Sequence, residues 1–183
     1  LRAFLIFINM ISDKLNTKEY NFYYKAYIDN AADENIVEGL IQNMNSVIKF
    51  YSNIPQEKHD YVYESGKWTI KDILLHTVDT ERVFAYRALR IARQDKTALA
   101  GFNQDDYVLS ASARQRTLYN IIEEYKAVRQ SSIALYSSFN SNVLEQIGEA
   151  SGFPVSVRAL GYILTGHENH HIQVIKQRYF IAE

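Results

Sequence analysis

Val157-Arg158-Ala159-Leu160-Gly161-Tyr162-Ile163-Leu164-Thr165-Gly166-His167-Glu168-Asn169-His170-His171-Ile172-Gln173-Val174-Ile175-Lys176-Gln177-Arg178-Tyr179 reads as one long amphipathic helix, with Ser156 as its N-cap. The segment holds three of the chain's 5 histidines within His167–His171. On a helix, residues four apart project from nearly the same face, so His167 and His171 can present two imidazoles to one ion. Imidazole is the commonest metal-binding side chain. Two ligands seldom hold a metal usefully, so the rest of the chain must complete the site.

Working outward, only 2 prolines and 7 glycines punctuate the 183 residues, which favours long helices over many short strands. A first helix is expected from Asp33 to about Asn53, capped by Asp33 and ending before Pro55. A second runs from Ile70 to about Arg93, with Thr69 as N-cap and Asp72 completing a capping box. A third begins near Ser112 and reaches about Tyr136, and the fourth is the histidine helix. Residues 94–108 read as a loop, and residues 137–154 as a connector with a short helical turn near Val143 to Ile147. Four long amphipathic segments predict an all-α protein, an antiparallel four-helix bundle. Residues 1–29 form an aromatic lead-in of undecided structure, and residues 30–183 form the bundle domain. Residues 1–9 are greasy but too short to span a bilayer, and Met10 would make an ordinary cytosolic start.

Composition sets further bounds. With 47% hydrophobic and 22% charged residues the chain reads as soluble and globular. A net charge of -1 and the lack of a dense Lys/Arg run give no general attraction to nucleic acid, and no membrane partner is expected. There is no cysteine, which excludes disulfides, zinc–cysteine sites, iron–sulfur clusters and a catalytic thiol. Any sulfur nucleophile must arrive on a small molecule.

His167-Glu168-Asn169-His170-His171 also fits the H-E-x-x-H pattern of zinc proteases. Such enzymes usually take a third ligand downstream, yet the residues after His171 contain no histidine and only one acid, Glu183. The third ligand must therefore lie upstream. His59 sits in a polar run and reads as solvated loop, whereas His76 lies in the apolar second helix. Two readings of His76 stand at this point: a core histidine bonded to a backbone carbonyl, or a ligand.

Gly66-Lys67-Trp68-Thr69-Ile70-Lys71-Asp72-Ile73-Leu74-Leu75-His76, the run Asp79 to Arg90, and Val155 through His171 resemble the DinB-like metalloproteins, most closely the bacillithiol-transferase-like branch. The resemblance covers nearly everything from Tyr27 onward and implies a four-helix bundle, commonly a homodimer, in the cytoplasm. It implies a divalent ion, zinc or nickel, held by His76, His167 and His171. His170, three residues from His167, falls outside that ligand pattern. Glu168 has two readings, a base beside the ion or a helix-surface carboxylate. Asp79 either orients an imidazole or pairs with Arg82, and Arg158 either meets an anionic cofactor or caps a neighbouring helix. The activity implied first is transfer of a low-molecular-weight thiol such as bacillithiol to an electrophile. A hydrolase using activated water is second, and a metal-binding stress protein without turnover is third. Ligand imidazoles must be deprotonated, so metal affinity is expected to fall below the free-histidine range of about 6.5.

Overall fold

The computed structural model describes residues 11–180, so the expectation for residues 1–9 lies outside the described residues. A 3-10 turn at Ile11–Lys14 and another at Phe22–Tyr24 lead into a short helix, α1 (Lys25–Asp29). Then follow α2 (Ile36–Ser52), α3 (Ile70–Ala92), α4 (Gln104–Ala111), α5 (Leu118–Ser137) and the single turn α6 (Ser141–Leu144). A hairpin of β1 (Ile147–Ala150) and β2 (Phe153–Ser156) precedes α7 (Val157–Arg178). The four long helices α2, α3, α5 and α7 form the expected four-helix bundle, with two of its packed pairs antiparallel and two parallel. None of the described helices is long and apolar enough to cross a membrane.

Local chemistry explains the boundaries. Thr69 Oγ1 accepts from the Asp72 amide at 3.1 Å while the Asp72 carboxylate accepts from the Thr69 amide at 2.9 Å, the reciprocal box that starts α3. Ser156 caps α7 through the Ala159 amide. Asn35, not Asp33, caps α2, because Asp33 is spent on the Asn35 amide one step earlier. The third long helix starts at Leu118 rather than near Ser112. Thr117 caps it, and Ser112 stands at φ 54, a left-handed conformation that separates it from α4. The connector hides a hairpin: Ser151 and Gly152, at φ 55 and φ 80, make its two-residue turn. Leu99 bonds to this hairpin at Glu149 and Ser151.

Each long helix packs on two others: α3 on α5 and α7, and α2 on α5 and α7. Sequential neighbours α2 and α3 therefore lie across a diagonal, as do α5 and α7. Side-chain links give the directions. Tyr179 of α7 reaches back to Trp68 at the start of α3, so those two are antiparallel. Ile36 and Tyr136 meet at Gly161, and Arg129 reaches Leu40, so α2 and α5 are antiparallel as well. Lys71 binds Arg116 and Arg82 binds Glu124, so α3 and α5 run together, as α2 and α7 do through Asn43, Thr165 and Glu168.

The apolar core is two clusters. One gathers Ile28, Ile36, Leu40, Phe84, Leu160 and Ile163; the other gathers Val47, Leu74, Val78, Ile121, Tyr125 and Ile175. Between them, on every helix, lies a polar position: Asn43, Glu81, Arg129 and Glu168.

The described end of the lead-in is part of this architecture, since α1 packs on α7. The contact is so close that a Cβ on Gly166 would stand 1.7 Å from the Tyr27 carbonyl oxygen. Gly166→Ala should therefore lower stability by about 1–3 kcal/mol or more, because backbone cannot yield as a flexible side chain would. Thr69→Ala, which removes only a cap, should cost about 1 kcal/mol. A thermal melt should place the first variant well below the second, at roughly 2–4 °C per kcal/mol.

Candidate metal centre

His76, in the second turn of α3, and His167 and His171, one turn apart on antiparallel α7, arrive at one place. Their nitrogens lie within 4.8 Å of one another. The Nε2 of His167 is 3.1 Å from that of His76 and 2.9 Å from that of His171. Three converging Nε2 atoms cannot satisfy each other, since a neutral imidazole has one N–H and one acceptor. The spacing instead suits a shared ion: tetrahedral zinc–nitrogen bonds put ligand nitrogens about 3.3 Å apart. The donor set therefore fits a divalent cation. Of the two readings of His76, the carbonyl-bonded core histidine is not the one observed.

The site is buried and aromatic. His76 and His167 are buried, and His171 is nearly so. The Trp68 ring lies 4.8 Å from His76 and stacks at 6.3 Å on His171, while Tyr27 meets His167 edge-on at 5.3 Å. Burial pulls the His76 pKa down to about 4. Burial and the neighbouring His76 and His170 pull His171 down to about 3, and burial with the other histidines holds His167 well below its ordinary value. The cluster is thus neutral and ready to bind a cation.

Two cavities reach the cluster. His76 and His167 line one of about 230 Å³, with Tyr24, Tyr27, Phe84 and Arg87 on its walls. His171 lines another of about 330 Å³, with His170, Tyr63, Trp68 and Tyr179. His170 stays outside the three-nitrogen cluster and packs on Tyr27 at 5.3 Å.

Two other sequence candidates are placed elsewhere. Glu168 is 3% exposed, and both its oxygens are taken: Arg129 Nη2 donates to one at 2.6 Å and Asn43 Nδ2 to the other at 2.9 Å. Arg129 also donates to both oxygens of Glu81, at 2.8 and 2.9 Å, and to the Leu40 carbonyl. Glu168 is neither a surface carboxylate nor a base beside the histidines; it holds α7 to α5 and α2. Arg158 donates two hydrogen bonds to Glu19, at 2.6 and 2.5 Å, and lies near Glu145, so its guanidinium is committed to the lead-in rather than to a cofactor. Asp79 pairs with Arg82 at 3.3 Å, and His59 bonds to the Ile54 carbonyl at 3.0 Å. Tyr27, Trp68, Thr80 and Arg87 around the cluster were not singled out from sequence. The one available signal was the helical stripe His76, Thr80, Phe84, Arg87.

Arg129→Met should cost about 3–5 kcal/mol in urea denaturation, because it leaves two buried carboxylates without their cation. The histidines give a pH signature to metal-free protein. Their folded pKa values lie below the unfolded value of about 6.5, so the unfolded chain binds more protons as pH falls below that value. Stability should decline between about pH 6.5 and 4, by up to about 1.4 kcal/mol per pH unit for each titrating histidine. For the folded protein, proton competition with metal should set in well below 6.5, lower than free histidine implies. Denaturation with chelator at pH 7.5, 6 and 5 checks the first effect, and metal retention over the same series checks the second.

The DinB superfamily model matches residues 40–175, which include all four bundle helices in whole or part and all three clustered histidines. No curated protein sequence matches the chain. Among solved structures, Bacillus subtilis YfiT, described as a probable metal-dependent hydrolase with an unusual four-helix bundle topology, superposes with a TM-score of 0.64 at 12% identity, covering 90% of this chain and 93% of that one. A DinB-like protein of the same organism, YjoA, gives 0.55 at 18% identity, covering 81% and 93%. With a family model spanning well over half its length, the chain belongs to the DinB superfamily.

Proposed function

We propose that this protein is a divalent-metal-dependent enzyme of small molecules, and that it transfers a low-molecular-weight thiol to an electrophile. The observation that carries the reading is the place of the histidine cluster between two cavities, one meeting His76 and His167 and the other meeting His171. Two cavities at one centre can seat two reactants at once, which favours a reaction joining two substrates over hydrolysis, where one substrate and water suffice. The absence of cysteine is consistent with a thiol supplied from outside.

Zinc or nickel, both of which accept imidazole, would supply at this centre a positive charge that lowers the pKa of a bound thiol or water. The chain's own contribution is separable from that chemistry. His76, His167 and His171 would hold the cation while remaining neutral themselves, so they would leave the net charge of the centre positive. Trp68 and Tyr27 fix the ring planes and keep bulk water off two sides of the cluster. The cavity walls hold two reactants against one point, the positional advantage that a two-substrate reaction gains most from. The same reading takes the protein as a homodimer working in the cytoplasm.

Hydrolysis is the second reading, supported by the description of YfiT as a probable metal-dependent hydrolase. Zinc- or nickel-loaded protein should consume 1-chloro-2,4-dinitrobenzene faster than background only when a thiol such as bacillithiol is present. His76→Ala and His167→Ala should each remove that rate, and weaken metal binding by more than the ~10–100-fold expected for an outer partner. Thiol-independent turnover of p-nitrophenyl acetate would favour the hydrolase. Bound metal with neither activity would sink both enzymatic readings.

A further inference from the structure

Arg87 is 3% exposed, yet among the described residues no carboxylate pairs with it. Its neighbours on the same helix are different: Arg82 pairs with Asp79 and Glu124, and Arg90 with Asp95. Both hydrogen bonds Arg87 makes leave from Nη2, to the Ala100 carbonyl at 2.7 Å and the Ser151 hydroxyl at 3.0 Å. Those bonds tie α3 to the hairpin turn and the loop before α4. They leave the N–H groups of Nε and Nη1 for something else. The Phe84 and Phe102 rings, 5.2 and 5.7 Å from the guanidinium carbon, soften the cost of burying the charge without neutralising it.

The guanidinium lines the 230 Å³ cavity that His76 and His167 also line. A second, independent feature lies between them. Thr80 is 6% exposed, its hydroxyl has no hydrogen-bond partner among the described residues, and it lines the same cavity. A buried hydroxyl without a partner is costly, and one on a residue in the wall of a cavity that also holds an unpaired cation marks a place suited to a polar guest. His76, Thr80, Phe84 and Arg87 stand at steps of four, four and three, one stripe of α3. Eleven residues separate the ends, about 16 Å along the helix axis, and the long arginine side chain leans back toward the helix N-terminus, shortening that gap.

From this arrangement we propose that the cavity recognises a carboxylate-bearing small molecule, its acid group held by Arg87, its middle by the Thr80 hydroxyl, and its reacting end toward His76 and His167. Arg87 and Thr80 are then positioning residues that set substrate class. A fork of free N–H donors suits a carboxylate, and the aromatic walls formed by Tyr24, Tyr27, Phe84 and Phe102 suit an unsaturated or aromatic body. The orientation rests on the metal-centre reading above; the anion site does not. The carboxylate could be carried by the electrophile or by the thiol, and binding separates the two.

The test is calorimetric titration of the full-length, zinc-incubated protein, with zinc content measured in every sample. Two matched pairs serve as probes: benzoate against benzamide for the electrophile, and N-acetylcysteine against N-acetylcysteamine for the thiol. At least one carboxylate should bind ten-fold or more tightly than its neutral twin, and the pair that shows the preference names the source. Arg87→Gln should erase that preference while zinc content is unchanged. Thr80→Val removes a hydroxyl that no described residue uses and should fold normally. It decides the case in which Arg87→Gln does not fold: a three-fold or greater weakening of the favoured carboxylate supports the site, and unchanged affinity overturns it. No carboxylate preference in either pair, or a preference that survives Arg87→Gln, also overturns it. Protein that holds no zinc yet prefers carboxylates would lose the enzymatic reading and keep the anion site.

Discussion

A single guanidinium in the middle of the bundle constrains everything else. Arg129 on α5, fully buried, donates to Glu81 on α3, Glu168 on α7 and the Leu40 carbonyl on α2, and Asn43 on α2 completes the ring by donating to Glu168 and to the Thr165 carbonyl. Every bundle helix thus contributes to one polar layer, with an apolar cluster above and another below. Burial opposes the arginine's charge, but Glu168 and Glu81 more than offset it and hold its pKa well above the ordinary value. Two carboxylates face one cation, so the layer is not electrically balanced; burial pushes the Glu168 pKa up against the pull of Arg129. Such a network adds little net stability compared with packed hydrocarbon, but it penalises every arrangement that leaves a member unpaired. It specifies register more than it strengthens the fold.

That register aims the histidines. Successive residues of a helix are rotated by about 100°, so fixing Glu168 onto Arg129 fixes the roll of α7 and with it the direction of His167. Glu81, five residues after His76, does the same for α3. The cluster is therefore assembled by two helices whose rotation is set from beside the histidine face by one arginine. Tyr27 adds a third restraint, pressing its backbone against Gly166 at the point where any side chain would intrude. The three histidines sit in apolar, aromatic surroundings that keep them neutral, while their carboxylate neighbour is turned away into the core. Turning Glu168 away matters electrostatically: a carboxylate at the centre would cancel part of a bound cation's charge.

Much of this was legible in the chain. The Thr69–Asp72 box, the Ser156 cap and the i, i+4 histidines are local signals whose physics does not depend on distant residues. The resemblance then named His76 as the third member, which spacing alone left open. What sequence misplaced depends on partners far along the chain. Glu168 looks the same whether it faces a metal or Arg129, 39 residues away; Arg158 looks free until Glu19, 139 residues earlier, is seen beside it. The hairpin escaped because its strands are four residues each and its turn signal, Ser151-Gly152, also reads as a helix breaker. The lead-in was undecided because α1 is only five residues and gains its stability from packing on α7.

The two buried arginines show how the same side chain can carry opposite meanings. Arg129 spends Nε, Nη1 and Nη2 on groups of the protein, two of them carboxylates, and the surrounding helices are positioned by those bonds. Among the described residues Arg87 spends only Nη2, on neutral oxygens, and no acid pairs with it. Burial lowers its pKa where Arg129's is raised, the mark of a cation whose counter-charge is not in the fold. A buried charge adds less net stability than packed hydrocarbon, so each arginine is understood through what it binds. For Arg129 the partner is internal and the consequence is a bundle with one register. For Arg87 the partner lies in the cavity shared with His76 and His167, and the consequence is a site whose charge selects what reaches the histidines.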